Sequence, residues 1–126
     1  MIVVDTSALV AILKREAHRD ACIEALDKNR TCMSAGTLVE CFVTAEWNGA
    51  GDEMRRMVGA LAPRIVPVTE EAAYQAHLAY RRWGKGRHPA KLNFGDCFSY
   101  VLAKELGCPL LFVGNDFSQT DIASVR

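Results

Sequence analysis

Ile2-Val3-Val4-Asp5-Thr6-Ser7-Ala8-Leu9 is the stretch that decides the fold. A short β-branched run with no polar position suits a strand buried on both faces, as strands of parallel sheets are. Asp5, Thr6 and Ser7 then supply capping side chains, and Ala8 to Leu13 continues as a helix. A buried strand running straight into a helix is the opening half of a βαβ unit. An aspartate at that junction loses hydration, a cost that hydrogen bonds or a positive charge must offset.

The same alternation continues along the chain. Ala17 to Lys28 reads as an amphipathic helix, and Thr31-Cys32-Met33 as a brief strand. Ser34 caps a helix running to about Trp47, which Gly49 and Gly51 are expected to end. Asp52 to Leu61 reads as a further helix stopped by Pro63. Ile65-Val66-Pro67-Val68 reads as a strand whose proline suits a sheet edge. Thr69-Glu70-Glu71 opens a helix to about Trp83, its acids placed to suit the helix dipole. After a Gly- and Arg-rich loop from Gly84 to Lys91, Asn93 caps a helix from Phe94 to Leu106, closed by Gly107. Leu110 to Val113 is the next strand, and Ile122 to Val125 is a candidate for a last short one. Strands separated by helices predict an α/β fold with a mostly parallel central sheet. At 126 residues the chain is read as one domain, spanning 1–126, with no repeat or linker.

Four acids recur where apolar runs give way to a turn or helix: Asp5, Glu40 after Thr37-Leu38-Val39, Asp96 in Asn93-Phe94-Gly95-Asp96, and Asp116 after Gly114-Asn115. Each has an ordinary structural role open to it. Asp5 could cap the first helix, Asp96 stands at an N3-like position, Asp116 could form an Asx turn, and Glu40 could be a solvated helical glutamate. Together they point to one site. In open parallel sheets ligands bind beyond the carboxyl ends of the strands, at the switch in strand order, and Asp5 and Asp116 both follow strands. Clustered carboxylates repel one another unless a cation is present. Their hard oxygen atoms suit Mg²⁺ or Mn²⁺.

Other chemistries fare worse. Ser7 has no G-x-S-x-G elbow, and the chain carries neither a P-loop nor a G-x-G-x-x-G motif. His18, His77 and His88 are not spaced as ligand pairs. The five cysteines include no C-x-x-C pair and read as small buried hydrophobes. No apolar run approaches the ~20 residues of a membrane span, and the N-terminus lacks the basic start of a signal peptide, so a cytoplasmic location is expected. Lys plus Arg and Asp plus Glu each number 15, so net charge selects no partner. Local charge does: Arg81, Arg82, Lys85, Arg87 and Lys91 fall within eleven residues free of acids. Since this loop precedes the Asp96 helix, phosphate contact is the favoured reading over a merely solvated loop. A receiver-like phosphoacceptor would need paired acids after its first strand and a lysine after its last, and Val113-Gly114 offers no lysine. An inactive binding module would have no need of all four acids.

Val4-Asp5-Thr6-Ser7-Ala8-Leu9, the lone Glu40 in its helix, Leu92-Asn93-Phe94-Gly95-Asp96-Cys97-Phe98-Ser99-Tyr100 and Phe112-Val113-Gly114-Asn115-Asp116-Phe117 resemble, in order and spacing, the PIN-domain ribonucleases. The likeness is nearest to VapC toxins of type II toxin–antitoxin modules, and it runs from Met1 to about Ile122. The resemblance implies a three-layer α/β/α sandwich that pairs as a homodimer. It implies a Mg²⁺-dependent endoribonuclease, with Mn²⁺ able to substitute, that cleaves structured RNA such as tRNA or rRNA and is restrained by a VapB-like antitoxin. Asp5, Glu40, Asp96 and Asp116 carry over as metal and catalytic acids, Asp5 and Asp96 as the direct ligands. Thr6, Ser7, Asn115 and Asp121 carry over in supporting roles. Arg82, Lys85, Arg87 and Lys91 are the expected RNA contacts.

Overall fold

The computed structural model describes residues 1–125. Its elements, in chain order, are β1 (Ile2–Val4), α1 (Thr6–Leu13), α2 (Arg19–Lys28), β2 (Thr31–Ser34), α3 (Ala35–Trp47), α4 (Gly51–Leu61), β3 (Arg64–Val66), α5 (Glu70–Trp83), α6 (Phe94–Leu106) and β4 (Leu110–Leu111). The strands form one sheet in the order β3-β2-β1-β4, and every pairing is parallel. Val3 lies beside both Cys32 and Leu110, so β1 is central, and the proline-flanked β3 stands at an edge.

The pleat of β1 explains the layers. Successive strand residues point to opposite faces. Ile2 and Val4 join Met33 and Leu111 in a core shared with Ala8, Leu9, Cys41, Ala45 and Met54 from α1, α3 and α4. Val3 joins Cys32 and Leu110 in a second core beneath Trp83, Tyr100, Val101 and Leu102 of α5 and α6. A strand apolar at every position is therefore required, because both of its faces are covered. The result is the α/β/α sandwich expected.

Some boundaries differ from those read in the sequence. Helix α1 begins at Thr6 rather than Ala8, because Asp5 itself is the N-cap and accepts from the Ser7 amide. Gly51 opens α4 instead of ending α3; Gly49, at φ +68, makes the turn between them. Strand β4 is only two residues long, since the chain leaves the sheet before Gly114, at φ +104. The tail contributes a single bridge, Leu110 with Ser124, rather than a strand. None of the five cysteines is in a disulfide. No helix among the described residues is long and apolar enough to cross a membrane.

Candidate active site and metal centre

From β1 the chain builds outward to β2 and β3 on one side and returns to β4 on the other. The switch point thus lies between the carboxyl ends of β1 and β4, where a crevice forms in sheets of this kind. Ser7 spans it: its hydroxyl donates to Asp5 Oδ2 at 2.7 Å and accepts from the Val113 amide at 3.0 Å.

Asp5 is 2% exposed yet fully hydrogen-bonded. Oδ2 accepts from the Ser7 amide at 3.0 Å as well as from its hydroxyl, and Oδ1 accepts from Ser99 Oγ at 2.6 Å. Burial pushes its pKa up, and these bonds to the ionised form pull against that. Ser99 is in turn 3.0 Å from Thr37 Oγ1. Sequence reading missed both hydroxyls. The available signal was spacing alone: Ser99 is one helical turn after Asp96, and Thr37 one turn before Glu40.

Glu40 projects from α3, half-buried, with Oε1 accepting from Thr6 Oγ1 at 2.6 Å. Burial raises its pKa most, the Thr6 bond lowers it, and the charge of Asp5 raises it again. Its carboxylate lies against the first turn of α6 so closely that a Cβ at Gly95 would collide with it. A larger residue at 95 would displace the Glu40 carboxylate from this position.

Asp96 sits in that same turn, 6% exposed. It completes a capping box: Oδ2 accepts from the Asn93 amide and Asn93 Oδ1 accepts from the Asp96 amide, each at 3.0 Å. Its pKa is pushed up to about 7, first by burial and then, against the Asn93 bond, by the charges of Asp5, Asp116 and Glu40. Asp5, Glu40 and Asp116 thus all lie near enough for their charges to act on Asp96. Asp116 and its neighbour Asn115 lie exposed on the turn after β4, with the Asn115 carbonyl accepting from Ser118 Oγ.

Asp121 stands apart. It accepts from Tyr100 Oη at 2.6 Å and pairs with Lys104 at 3.2 Å and Arg82 at 3.8 Å, tying the tail to α5 and α6. Arg82 also lies over the Trp83 ring, 4.4 Å from its centroid. Lys85, Arg87 and Lys91 are exposed on a loop closed at its base, where Lys85 N bonds Leu92 O and Leu92 N bonds Trp83 O. His88 packs edge-on to Trp83 inside it.

The donor chemistry of the four acids fits a hard divalent cation: all ligand atoms are oxygens, and none of the ion pairs among the described residues engages them. As they stand, no three of them are drawn together closely enough to ligate one ion. Asp5, Glu40 and Asp96 are instead each held by a hydroxyl or amide of the chain, so that ligating one ion together would require their side chains to rotate.

Comparison with known proteins places this architecture. The PIN domain family matches residues 2–123. A ribonuclease VapC from Mycolicibacterium smegmatis is 45% identical, the match covering 99% of this chain and 100% of that protein. Ribonuclease VapC30 from Mycobacterium tuberculosis is 47% identical, with 98% of each chain covered. Among solved structures, Mycobacterium tuberculosis VapC20, described as a Sarcin-Ricin loop cleaving toxin, shares the fold with a TM-score of 0.81 at 20% identity, covering 100% of this chain and 99% of that one. The chain belongs to the PIN-domain family, among its VapC-type proteins.

Proposed function

We propose that this chain is a metal-dependent endoribonuclease and the toxic half of a toxin–antitoxin pair, cleaving structured RNA such as tRNA or rRNA in the cytoplasm and so arresting translation. One observation carries this reading: the charges of Asp5, Glu40 and Asp116 all raise the pKa of Asp96, that of Asp5 raises the pKa of Glu40, and no ion pair among the described residues compensates these four acids. The relatives named as VapC ribonucleases support it.

Asp5 and Asp96 would hold the ion, Mg²⁺ or Mn²⁺, with Glu40 and Asp116 acting through water or orienting the attacking water. When bound, such a cation lowers the pKa of water and offsets charge on phosphate oxygens. The chain's own residues do the rest. Ser7 and Ser99 each grip one oxygen of Asp5 and fix its plane. Thr6 occupies Glu40 Oε1, leaving Oε2 to take a proton from water as the water oxygen bonds phosphorus and the bond to the leaving ester oxygen breaks. That oxygen departs with the electron pair and gains a proton from solvent. Burial favours the protonation of Glu40. Lys85, Arg87 and Lys91 would hold flanking phosphates.

A VapB-like antitoxin is the expected partner. A helix of it would pack against the apolar early helices, and a basic side chain would enter the acid cluster as a charge-assisted contact. One solved neighbour at a TM-score of 0.70 is a toxin–antitoxin complex from Klebsiella pneumoniae.

The test is direct. Purified protein should cleave total RNA with Mg²⁺ or Mn²⁺, lose activity in EDTA and regain it on adding metal. Asp5→Asn and Asp96→Asn should each lose at least about a hundredfold in rate while remaining folded, because changing even the groups that only orient a metal's ligands costs about 10–100-fold. Expression of wild type should halt growth and Asp5→Asn should not. Full activity of folded Asp96→Asn in EDTA would sink the reading.

A further inference from the structure

The groove between α5 and the first turn of α6 takes no part in the chemistry above. It encloses about 770 Å³, and its lining includes His77, Tyr80, Phe94 and Phe98, together with Lys85 and Asn93. Phe94 is 79% exposed, and its ring meets Phe98 edge-on with centroids 5.2 Å apart. Nothing else in the chain needs so large an aromatic ring in water at a helix start, where a small or polar residue serves as well.

Two connections fix what the groove faces. Asn93 lines it and is also bonded to Asp96 through the capping box, so the groove opens beside the acid cluster. Lys85 lines it too and begins the cationic loop; the Lys85 carbonyl accepts from Tyr80 Oη at 3.1 Å, which fixes the loop to the groove wall. A strand whose phosphates meet that loop and a cation held by the acids would lay an intervening nucleotide over the groove. A nucleobase has apolar faces for aromatic rings and polar edges for groups such as the His77 imidazole and the Asn93 amide. Stacking of this kind is how unpaired nucleic acid is gripped without regard to sequence.

We propose that this groove receives an unpaired nucleobase next to the scissile phosphate, stacked on Phe94. The inference rests on the ribonuclease reading, and the two fail differently. RNA binding is measured in the Asp5→Asn background, to prevent cleavage, with a labelled short single-stranded oligoribonucleotide and an abasic oligonucleotide of equal length. Phe94→Leu keeps an apolar side chain but removes the ring; it should weaken binding of the natural oligonucleotide about tenfold and leave the abasic one unchanged. Phe94→Trp should retain affinity, and its fluorescence should be quenched when RNA binds. Equal affinity of Phe94→Leu and the parent would overturn the proposal while RNA cleavage by wild type stands. A loss of affinity that comes with a smaller sedimenting species would also overturn it, assigning the groove to contact between protein copies. Absence of any metal-dependent RNA cleavage by wild type would remove the ribonuclease reading itself, and the base site with it.

Discussion

Asp96 concentrates the tension of the site. An ordinary aspartate titrates near 3.8, whereas this one is pushed up to about 7 by burial and by three neighbouring acids. The folded protein therefore binds a proton more tightly than the unfolded chain does, and stability falls wherever the unfolded chain binds fewer protons. The contribution is fully present below about pH 4 and is lost as pH rises through about 7. Metal-free protein should thus melt at a higher temperature at pH 5 than at pH 8, with a loss of about 1 kcal/mol lowering Tm by roughly 4 °C. Mn²⁺ should raise Tm strongly at pH 8, where the carboxylates are ionised, and little at pH 5. Melting curves in EDTA and in Mn²⁺ at the two pH values check this, and a metal-free Tm that rises from pH 5 to 8 would contradict it. The acids themselves were legible in the sequence because a carboxylate embedded in apolar residues is costly and conspicuous. Ser99 and Thr37 were not, since their one-turn spacing from Asp96 and Glu40 acquires meaning only once the partner of each hydroxyl across the fold is known. Asp121 shows the converse: it fits the motif, yet in the fold it is bonded to Tyr100, Lys104 and Arg82.

The short elements around the crevice explain which boundaries could be read and which could not. Helix α6 was clear at both ends, because Asn93 with Asp96 makes a capping box and Gly107 a left-handed stop at φ +63. Strand β4 read longer than it is, because Phe112 and Val113 are apolar for packing, one against each core, rather than for pairing. The segment from Gly84 to Lys91 read as an open loop, but its base is closed by backbone bonds across the Gly84–Leu92 bridge. Such closure holds Lys85, Arg87 and Lys91 outward on a fixed frame, whereas Arg82 is engaged with Asp121 and Trp83. Arg87 is accordingly the cation most able to meet phosphate. Single strands lose affinity with salt at a slope near −0.7 per neutralised phosphate. Arg87→Ala, in an Asp5→Asn background, should weaken RNA binding and flatten that slope by about 0.7 while leaving Mn²⁺ affinity unchanged. Arg82→Ala should do less to RNA binding. A salt titration of RNA affinity for the three proteins decides it, and identical slopes for Arg87→Ala and its parent would move phosphate recognition elsewhere.

The surface of the molecule carries an apolar stripe on α3 that its own core does not use. Helix α3 buries Thr37, Cys41 and Ala45. On its outer side Val39, Val43 and Trp47 follow at four-residue spacing and are 61%, 51% and 87% exposed. Residues at that spacing lie above one another on a helix, so the three form a single ridge rather than scattered exceptions. A ridge of this kind in water marks a contact surface, and paired copies of one chain meet through the same patch on each. Since α3 also carries Glu40, pairing along it would set the two acid clusters in a fixed mutual arrangement. We propose that two copies pair along this ridge, so that wild type sediments as a dimer. Val43→Asp puts a charge at its centre without touching either core, so the variant should fold with an unchanged circular dichroism spectrum and Tm within a few degrees. A charge buried without a partner is costly, so the variant should sediment as a monomer at concentrations where wild type sediments as a dimer. If wild type and Val43→Asp have the same mass in solution, the ridge is not where copies meet, and the antitoxin becomes the partner to test against it.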